Sequence, residues 1–365
     1  MTRSFLYFVI SLMFAVGGYF LSCCDDCPTC QTDEDTPVQP CRLYAFDSMN
    51  QFIMSMDVPA DTIIDSIRVD YYGAEIFVTP DGTRLLVMRY DHENGHRMEI
   101  YNTTDLSYLQ SYDLYGEYFF DGTDNYGVCM SSDSICFIDP NSLVIQGSAH
   151  HMPYPGYAAF LDTVTNTFFV KFHRDSDTAS VIYWYDCNTE AFVDSLAFPL
   201  TRGSVTAIAY NWLTDDLYMT SKMKTGLAFF YQYDFALDSI ISRFVLSEAS
   251  GSIAVTPNGR EIYMTDGGHG MFGYIPPRPI WIIDAFTHQP ITWVPPYDTA
   301  RVILPFFHNT YFTSDGKRAY IEANSSSGGG VPIVVIDTRT HELIKSISPY
   351  LAFTSDIVLG MVPES

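Results

Sequence analysis

Ile253-Ala254-Val255-Thr256-Pro257-Asn258-Gly259 is an alternating apolar run that ends in a tight-turn sequence. Asn-Gly and Asp-Gly pairs readily adopt the positive φ angles of a short hairpin turn, so this run predicts a strand, a turn and a returning strand. A similar run ends in Asp81-Gly82. A third, less similar run, in which Ser replaces the Pro of the turn, ends in Asp315-Gly316. Each copy therefore marks the first two strands of a repeated unit.

A second pattern closes each unit. It is a β-rich run that ends in Asp or Asn, followed by a polar turn and another apolar strand. The side chain of the last residue can accept hydrogen bonds from backbone N–H groups in the turn. Seven copies occur, between 37 and 53 residues apart, ending at Asp57, Asn102, Asp139, Asp186, Asp234, Asp284 and Asp337. This spacing is close to that of the four-stranded blades of a β-propeller.

The two ends of the chain complement each other. Residues 43–46, 52–56 and 62–67 supply strands two, three and four of a unit, and no first strand precedes them. The missing strand is the alternating run over residues 357–364. We therefore predict an all-β, seven-bladed β-propeller of four-stranded blades, closed by one C-terminal strand and three N-terminal strands, in one domain over residues 42–365.

Composition narrows the classes of function. Of the 365 residues, 47% are hydrophobic and 17% charged, so the chain can bury a sizeable core. The formal net charge is −24, and no segment concentrates Lys and Arg with aromatic residues, which excludes nucleic-acid binding. The aromatic share of 15%, together with 23 Gly and 20 Pro, favours short strands and tight turns over helices.

The first 41 residues carry targeting features. Arg3 precedes an apolar run over residues 5–20, which has the length of a signal-peptide core, so we interpret residues 1–22 as a signal peptide. Ser22-Cys23 resembles the lipobox of bacterial lipoproteins, which predicts lipidation at Cys23; lipidation at Cys24, or ordinary cleavage without lipid, stays open. Residues 23–41 have the polar composition of a flexible tether. These features predict a lipid-anchored protein outside the cytoplasm, either periplasmic or at the cell surface.

Two groups among the eight cysteines suggest specific chemistry. Cys24, Cys27 and Cys30 have a spacing that some metal sites use, but in an oxidising compartment such residues more often pair with one another. Cys129 and Cys136 flank a short polar segment and are expected to lie opposite each other across a hairpin, where they could form a disulfide.

The repeat resembles the YVTN-type propellers, a family that includes YncE-like extracytoplasmic proteins, over nearly the whole mature chain. The turn and strand sequences of that family are best matched at residues 254–264 and 334–339. Members include bare scaffolds, binding proteins and a few enzymes. The resemblance therefore implies the architecture and leaves the function open.

In such a fold, the loops from strand four to the next strand one and from strand two to strand three share one face, here called the first face. Long insertions are expected on it over residues 90–97, 150–156, 266–279 and 295–308, which predicts a binding site there. Of the nine histidines, His288 and His341 alone fall on the opposite face. The candidate ligand-binding residues are His92, His96, His150, His151, Tyr154, His173, His269, Arg278 and His308.

Two functions fit these residues best. We favour a monomeric, non-catalytic module without a cofactor, which binds a protein or an envelope polymer through the first face. The alternative is a lactonase-like enzyme or a metal-dependent oxidoreductase, with a transition metal or a base supplied by histidines at the channel mouth, namely His150, His151, His173 and His308. The acidic turn over residues 121–125 has two interpretations: a calcium site, or a hairpin turn that binds no ion. A purely structural surface-layer component is a third possibility.

Overall fold

In the computed structural model, the described part of the chain runs from residue 41 to residue 361. Residues 1–40 and 362–365 lie outside it, and with them the predicted signal peptide, most of the predicted tether and Cys23. So do the internal segments 48–50, 59, 71–73, 80–81, 92–94, 115–118, 123–126, 131–133, 139–144, 152–155, 163–164, 174–178, 200–202, 224, 226, 247–249, 267–278, 295–305, 314, 325–332 and 348–353. The described residues form strands and turns, and among them there is no helix of the length and apolarity that crossing a membrane requires.

The strands of the described part form seven four-stranded antiparallel sheets, which are the blades of the expected β-propeller. Blade 1 contains β1 (Cys41–Asp47), β2 (Phe52–Asp57), β3 (Thr62–Arg68) and β28 (Thr354–Met361). Blade 2 contains β4 (Ala74–Val78), β5 (Arg84–Asp91), β6 (Gly95–Asn102) and β7 (Tyr108–Leu114). Blade 3 contains β8 (Phe119–Gly122), β9 (Gly127–Met130), β10 (Ser134–Ile138) and β11 (Ile145–His151).

The remaining four blades follow the same order along the chain. Blade 4 contains β12 (Gly156–Asp162), β13 (Thr167–His173), β14 (Ala179–Asp186) and β15 (Ala191–Pro199). Blade 5 contains β16 (Ser204–Asn211), β17 (Asp216–Lys222), β18 (Ala228–Asp234) and β19 (Ser239–Leu246). Blade 6 contains β20 (Ser250–Val255), β21 (Glu261–Asp266), β22 (Ile280–Asp284) and β23 (Pro290–Val294). Blade 7 contains β24 (Phe306–Phe312), β25 (Arg318–Asn324), β26 (Ile333–Asp337) and β27 (Glu342–Ile347).

Blade 1 is closed by the two ends of the chain, as the sequence predicts. β28 pairs with β1 in an antiparallel register that sets Val358 opposite Tyr44 and Met361 opposite Cys41. β1 thus begins at Cys41, one residue before the domain boundary inferred from the sequence, because Cys41 still has a partner on β28. The first strands of neighbouring blades contact one another, from β8 through β12, β16, β20 and β24 to β28 and β4, so these strands are the innermost of each blade.

The predicted turns take the expected form. Gly259 has φ 68°, and its N–H donates to the Thr256 carbonyl at 2.8 Å. The Thr256 hydroxyl oxygen in turn accepts the N–H of Glu261 at 3.0 Å, which ties the turn to the returning strand. A Cβ at position 259 would come within 2.6 Å of the Leu213 Cβ, so this position requires glycine for space as well as for backbone angle. Gly82 and Gly316 repeat the same turn geometry.

The apolar core is divided among the spaces between consecutive blades. The cluster between blades 1 and 2 includes Tyr44, Phe46, Ile76, Leu85 and Val87, all of them buried. Comparable clusters lie between blades 4 and 5, 5 and 6, 6 and 7, and 7 and 1. Each blade is therefore held mainly by its neighbours, since a single four-stranded sheet cannot bury both of its faces alone.

Buried tyrosines on the second strands add polar links between blades. The hydroxyl of Tyr44 donates to the Thr103 carbonyl of blade 2 at 2.9 Å, and that of Tyr218 donates to the Ala285 carbonyl of blade 6 at 3.2 Å. Tyr320 of blade 7 donates to the Val58 carbonyl of blade 1 at 3.1 Å. Each link reaches the turn between the third and fourth strands of the next blade.

The junction of blades 7 and 1 also carries a buried ionic cluster. The carboxylate of Asp61, whose side chain is 5% exposed, accepts the Tyr320 hydroxyl at 2.7 Å. Arg318 and Lys345 approach the same carboxylate at 3.3 Å and 3.1 Å. Two cations and a hydroxyl compensate the desolvated carboxylate.

Candidate functional site

A cavity of about 470 Å³ lies between blades 1 and 2 and is the candidate functional site. Its volume falls within the range of small-ligand sites, about 300–1,000 Å³. Blade 1 contributes residues at the connections that precede β2 and follow β3, both of which belong to the first face. The lining consists of Gln51, Arg68, Val69, Asp70, Glu99 and Tyr101.

The blade 1 side of the cavity is held by one backbone contact between its two first-face connections. The N–H of Val69 donates to the Gln51 carbonyl at 2.8 Å, and Gln51 adopts a left-handed φ of 60° to present that carbonyl. The Val69 side chain is buried in the cluster between blades 1 and 2, whereas Asp70 is exposed. The contact thus fixes Arg68 and Asp70 on either side of a buried residue.

The blade 2 side contains a buried charged network. Glu99 is 9% exposed, and its Oε2 accepts the Tyr101 hydroxyl at 2.6 Å. Arg89 Nε lies 3.3 Å from Glu99 Oε1, and its Nη1 lies 4.0 Å from an oxygen of Asp70. The cation and the hydroxyl replace the water that the Glu99 carboxylate loses on burial. Arg89 is therefore paired closely with the buried Glu99 and only loosely with the exposed Asp70.

Two further arginines stand beside this network. Arg68 is exposed and makes no hydrogen bond or ion pair with any residue that the structure describes. Arg97 lies opposite Arg89 in the pairing of β5 with β6, and its Nη2 donates to the Ser111 hydroxyl at 2.5 Å. The Nε of Arg97 is buried and has no hydrogen-bond partner among the described residues. Of the three arginines in this described region, Arg68 lines the cavity, whereas Arg89 and Arg97 lie behind or beside its lining.

The predicted histidine site has a different arrangement from the one expected. His92, Tyr154, His269 and Arg278 lie outside the described residues. For the other candidates the structure describes the backbone, and it places them in strands rather than in loops: His96 in β6, His150 and His151 in β11, His173 in β13 and His308 in β24. In particular, the insertion expected over residues 90–97 is a strand pair, since β5 runs to Asp91 and β6 begins at Gly95.

The strands separate these histidines radially. His308 belongs to β24, the innermost strand of blade 7, but His150 and His151 belong to β11, the outermost strand of blade 3. Strands within a sheet are about 4.8 Å apart, so the first and fourth strands of a blade are about 14 Å apart. His150 and His151 are therefore not at the channel mouth. Among the side chains that the structure describes, no three His, Cys, Asp or Glu residues form a group that could hold a metal ion.

The two histidines of the opposite face have structural contacts. His341 Nε2 lies 3.0 Å from Glu261 Oε1, which joins blades 6 and 7. Burial raises the pKa of Glu261, and the adjacent His341 opposes that rise. His288 lies 3.5 Å from the Tyr218 hydroxyl, at the junction of blades 5 and 6. Both histidines adopt left-handed backbone angles that end their turns.

Sequence reasoning missed the residues of the cavity, although one signal was present. Leu85, Val87 and Arg89 alternate along β5 toward blade 1, so a charged residue occupies a position where an apolar one is expected. A buried charge needs a partner, and Glu99 on the adjacent strand supplies it. The sequence contains no comparable signal for Arg68 and Gln51, because their place in the cavity lining depends on how blade 1 packs against blade 2.

Comparisons with known proteins show the fold. No family model matches the chain, and no curated protein matches it. A functionally unknown protein from Desulfotomaculum acetoxidans is 11% identical, with a TM-score of 0.61 over 88% of this chain and 99% of its own. Hydrazine synthase of Kuenenia stuttgartiensis is 11% identical, with a TM-score of 0.59 over 85% and 93%. The β-propeller domain of Myceliophteria thermophila Swd1 is 14% identical, with a TM-score of 0.51 over 76% and 86%. At these identities the likeness extends to the β-propeller architecture.

Proposed function

We propose that this chain is a lipid-anchored, extracytoplasmic β-propeller of the YVTN type that acts as a non-catalytic binding module through its first face. The observation that carries the proposal is the cavity between blades 1 and 2, which lies beside two first-face connections and has a charged lining. The proposed partner is a protein or a polymer of the cell envelope. The signal-peptide-like start and the Ser22-Cys23 pair support the location.

The contacts within the cavity favour binding over catalysis. A general base acts from a position beside the reacting proton, and covalent catalysis adds a nucleophile beside it. Glu99 is held by the Tyr101 hydroxyl at one oxygen and by Arg89 at the other, and each oxygen keeps a lone pair that a ligand hydroxyl can use. The carboxylate is therefore well placed to orient a ligand. Hydrazine synthase, one of the fold neighbours, is an enzyme by name, but a likeness of 11% identity carries the architecture alone.

The binding role is tested with the full-length protein in detergent and isolated cell-envelope fractions. We expect the wild type to be retained by the envelope fraction. The double variant Gln51→Trp/Asp70→Trp fills the cavity mouth without adding positive charge and should lose most of that retention. Arg260→Glu on the opposite face is the matched control and should retain it, since Arg260 is exposed on the turn between β20 and β21. Equal retention of all three proteins, or of none, would contradict the proposal.

The anchor is tested separately by labelling cells with a radioactive fatty acid. We expect label on the wild type and on Cys24→Ala, and none on Cys23→Ala. Label that persists on Cys23→Ala and disappears on Cys24→Ala would move the anchor by one residue. An unlabelled wild type would remove the lipid anchor from the proposal while leaving the binding face untouched.

A further inference from the structure

We propose that the cavity between blades 1 and 2 binds a hydroxylated carboxylate of the sugar-acid class, with Arg68 as the residue that binds the carboxylate. This inference rests on the proposed binding function and specifies its ligand. It is carried by the balance of charge in the cavity, by the mixture of donors and acceptors in the lining, and by the apolar wall below them.

The arrangement of charges leaves one guanidinium for an anion. Arg89 lies 3.3 Å from Glu99 and 4.0 Å from the exposed Asp70, so the cation nearest to each carboxylate is Arg89 and not Arg68. Arg68 lines the same cavity and is left without an ion pair to any described residue. A planar guanidinium binds a carboxylate through two parallel hydrogen bonds, which gives both affinity and orientation.

Arg97 adds a second cation beside the cavity, on the strand that also carries Glu99 and Tyr101. Its buried Nε lacks a hydrogen-bond partner among the described residues, although its Nη2 is held by Ser111. A buried donor without a partner is costly, and an acceptor brought by a ligand or by an ordered water would remove that cost. Arg97 thus reinforces the preference for a ligand rich in acceptor oxygens.

The remaining polar groups require hydroxyls on the ligand. Asp70 and Glu99 offer carboxylate oxygens, and Gln51 offers both a donor and an acceptor. A simple carboxylic acid would leave the remaining lone pairs of these oxygens without donors from the ligand and would face two negative charges. A ligand with several hydroxyl groups can donate to them while its own carboxylate binds Arg68. Hydroxyl groups and a carboxylate on one small ring are the features of a uronic acid.

An apolar surface completes the cavity. Val69 and the ring of Tyr101 line it, and both are largely buried. The Tyr101 hydroxyl is already committed to Glu99, so the ring offers its carbon atoms to a ligand. The C–H groups of a sugar ring can pack against such a surface while its hydroxyls reach the polar rim.

The test measures ligand binding by titration calorimetry with the full-length protein in detergent. The probes are D-glucuronate, its uncharged methyl ester and D-glucose. We expect glucuronate to bind and the two uncharged probes to bind at least about tenfold more weakly, since a charge-assisted hydrogen bond is lost. Arg68→Gln should weaken glucuronate binding by about tenfold or more, and Arg260→Gln should leave it unchanged. Equal binding of the three probes, or an Arg68→Gln protein that binds like the wild type, would overturn the assignment.

A short oligoglucuronate separates the two sources of this ligand. Binding that is tighter than that of the monomer indicates an acidic polysaccharide, and equal or weaker binding indicates the free sugar acid. Retention by envelope fractions without binding of any uronate would refute the ligand class and leave the binding function standing. Failure in both assays would refute both proposals.

Discussion

Several blades have a buried tyrosine on their second strand, and the hydroxyl groups of these tyrosines differ in their hydrogen-bond partners. Tyr320 donates to the Val58 carbonyl and to Asp61, but the Tyr263 hydroxyl is buried without a hydrogen-bond partner among the described residues. We therefore expect Tyr320→Phe to lower the free energy of unfolding by about 2 kcal/mol, because it removes a hydrogen bond to a charged group. Tyr263→Phe should leave the free energy of unfolding unchanged or raise it.

Urea unfolding of the wild type and both variants measures this difference. Tyr218→Phe is the matched control, since its hydroxyl does have a carbonyl partner at 3.2 Å, and it should lose about 1 kcal/mol. A Tyr263→Phe protein that loses as much stability as Tyr320→Phe would show that Tyr263 has a partner in solution.

Carboxylates at the ends of the third strands give stability a pH dependence. Asp284 Oδ1 accepts the Thr287 N–H at 2.7 Å and the Phe286 N–H at 3.0 Å. The Thr287 N–H, more than any other group, holds the pKa of Asp284 below its ordinary value. The ionised form is thus favoured in the folded state. Its contribution is complete above the unfolded pKa of about 3.9 and is lost as the pH falls through the lower folded value.

Asp284→Ala should accordingly cost about 1 kcal/mol at pH 7 and less at pH 3, as measured by urea unfolding at both values. Asp284→Asn is the control, because Asn102 holds the corresponding place in blade 2 and accepts the Thr104 N–H at 2.8 Å. The Asn variant should lose less stability than the Ala variant, and its deficit relative to the wild type should also shrink at low pH. A deficit of Asp284→Ala that grows on acidification would contradict this account.

At the scale of single strands, the pairing of β9 with β10 sets Cys129 directly opposite Cys136. Directly opposed residues in an antiparallel pair have Cα atoms about 4.5–5.5 Å apart, within the range that a disulfide spans. We expect these two residues to form a disulfide when the protein matures in an oxidising compartment. Peptide mapping without reduction should find the cross-linked pair. Cys187→Ser should not alter it, because Cys187 is a buried cysteine in the turn after β14, in a different blade. Two free thiols in protein isolated from that compartment would contradict the prediction.

Whether an element could be predicted from the sequence depends on the range of the contacts that form it. The Asp turns and the Thr256 to Gly259 hairpin follow from contacts within a few residues, so their sequence patterns were sufficient. The inter-blade bonds of Tyr44 and Tyr218 join residues 59 and 67 positions apart, although a tyrosine recurs at the matching place of several second strands. The cavity was not predicted, because Arg68 and Glu99 are brought together by packing between blades and share no local motif.

At the scale of the whole molecule, the ring is joined where β28 pairs with β1. β28 supplies the first, innermost strand of blade 1, and buried Leu43 and Tyr44 lie on the strand that it covers. Folded domains are stable by about 5–15 kcal/mol, so the loss of one complete strand is large on that scale. We expect deletion of residues 354–365 to abolish cooperative thermal unfolding and to expose apolar surface.

A rearranged chain provides the decisive control for this closure. Met361 lies opposite Cys41, so β28 placed before β1 and joined to it by a Pro-Asp-Gly turn would form the same hairpin that opens several other blades. This variant has the strand in a new position of the sequence and in the same position of the ring. Circular dichroism should show that it regains the cooperative transition that the deletion loses. If the rearranged chain unfolds like the deletion, the pairing of the two termini is not what stabilises the ring, and the closure must depend instead on the junction of Asp61, Arg318 and Tyr320.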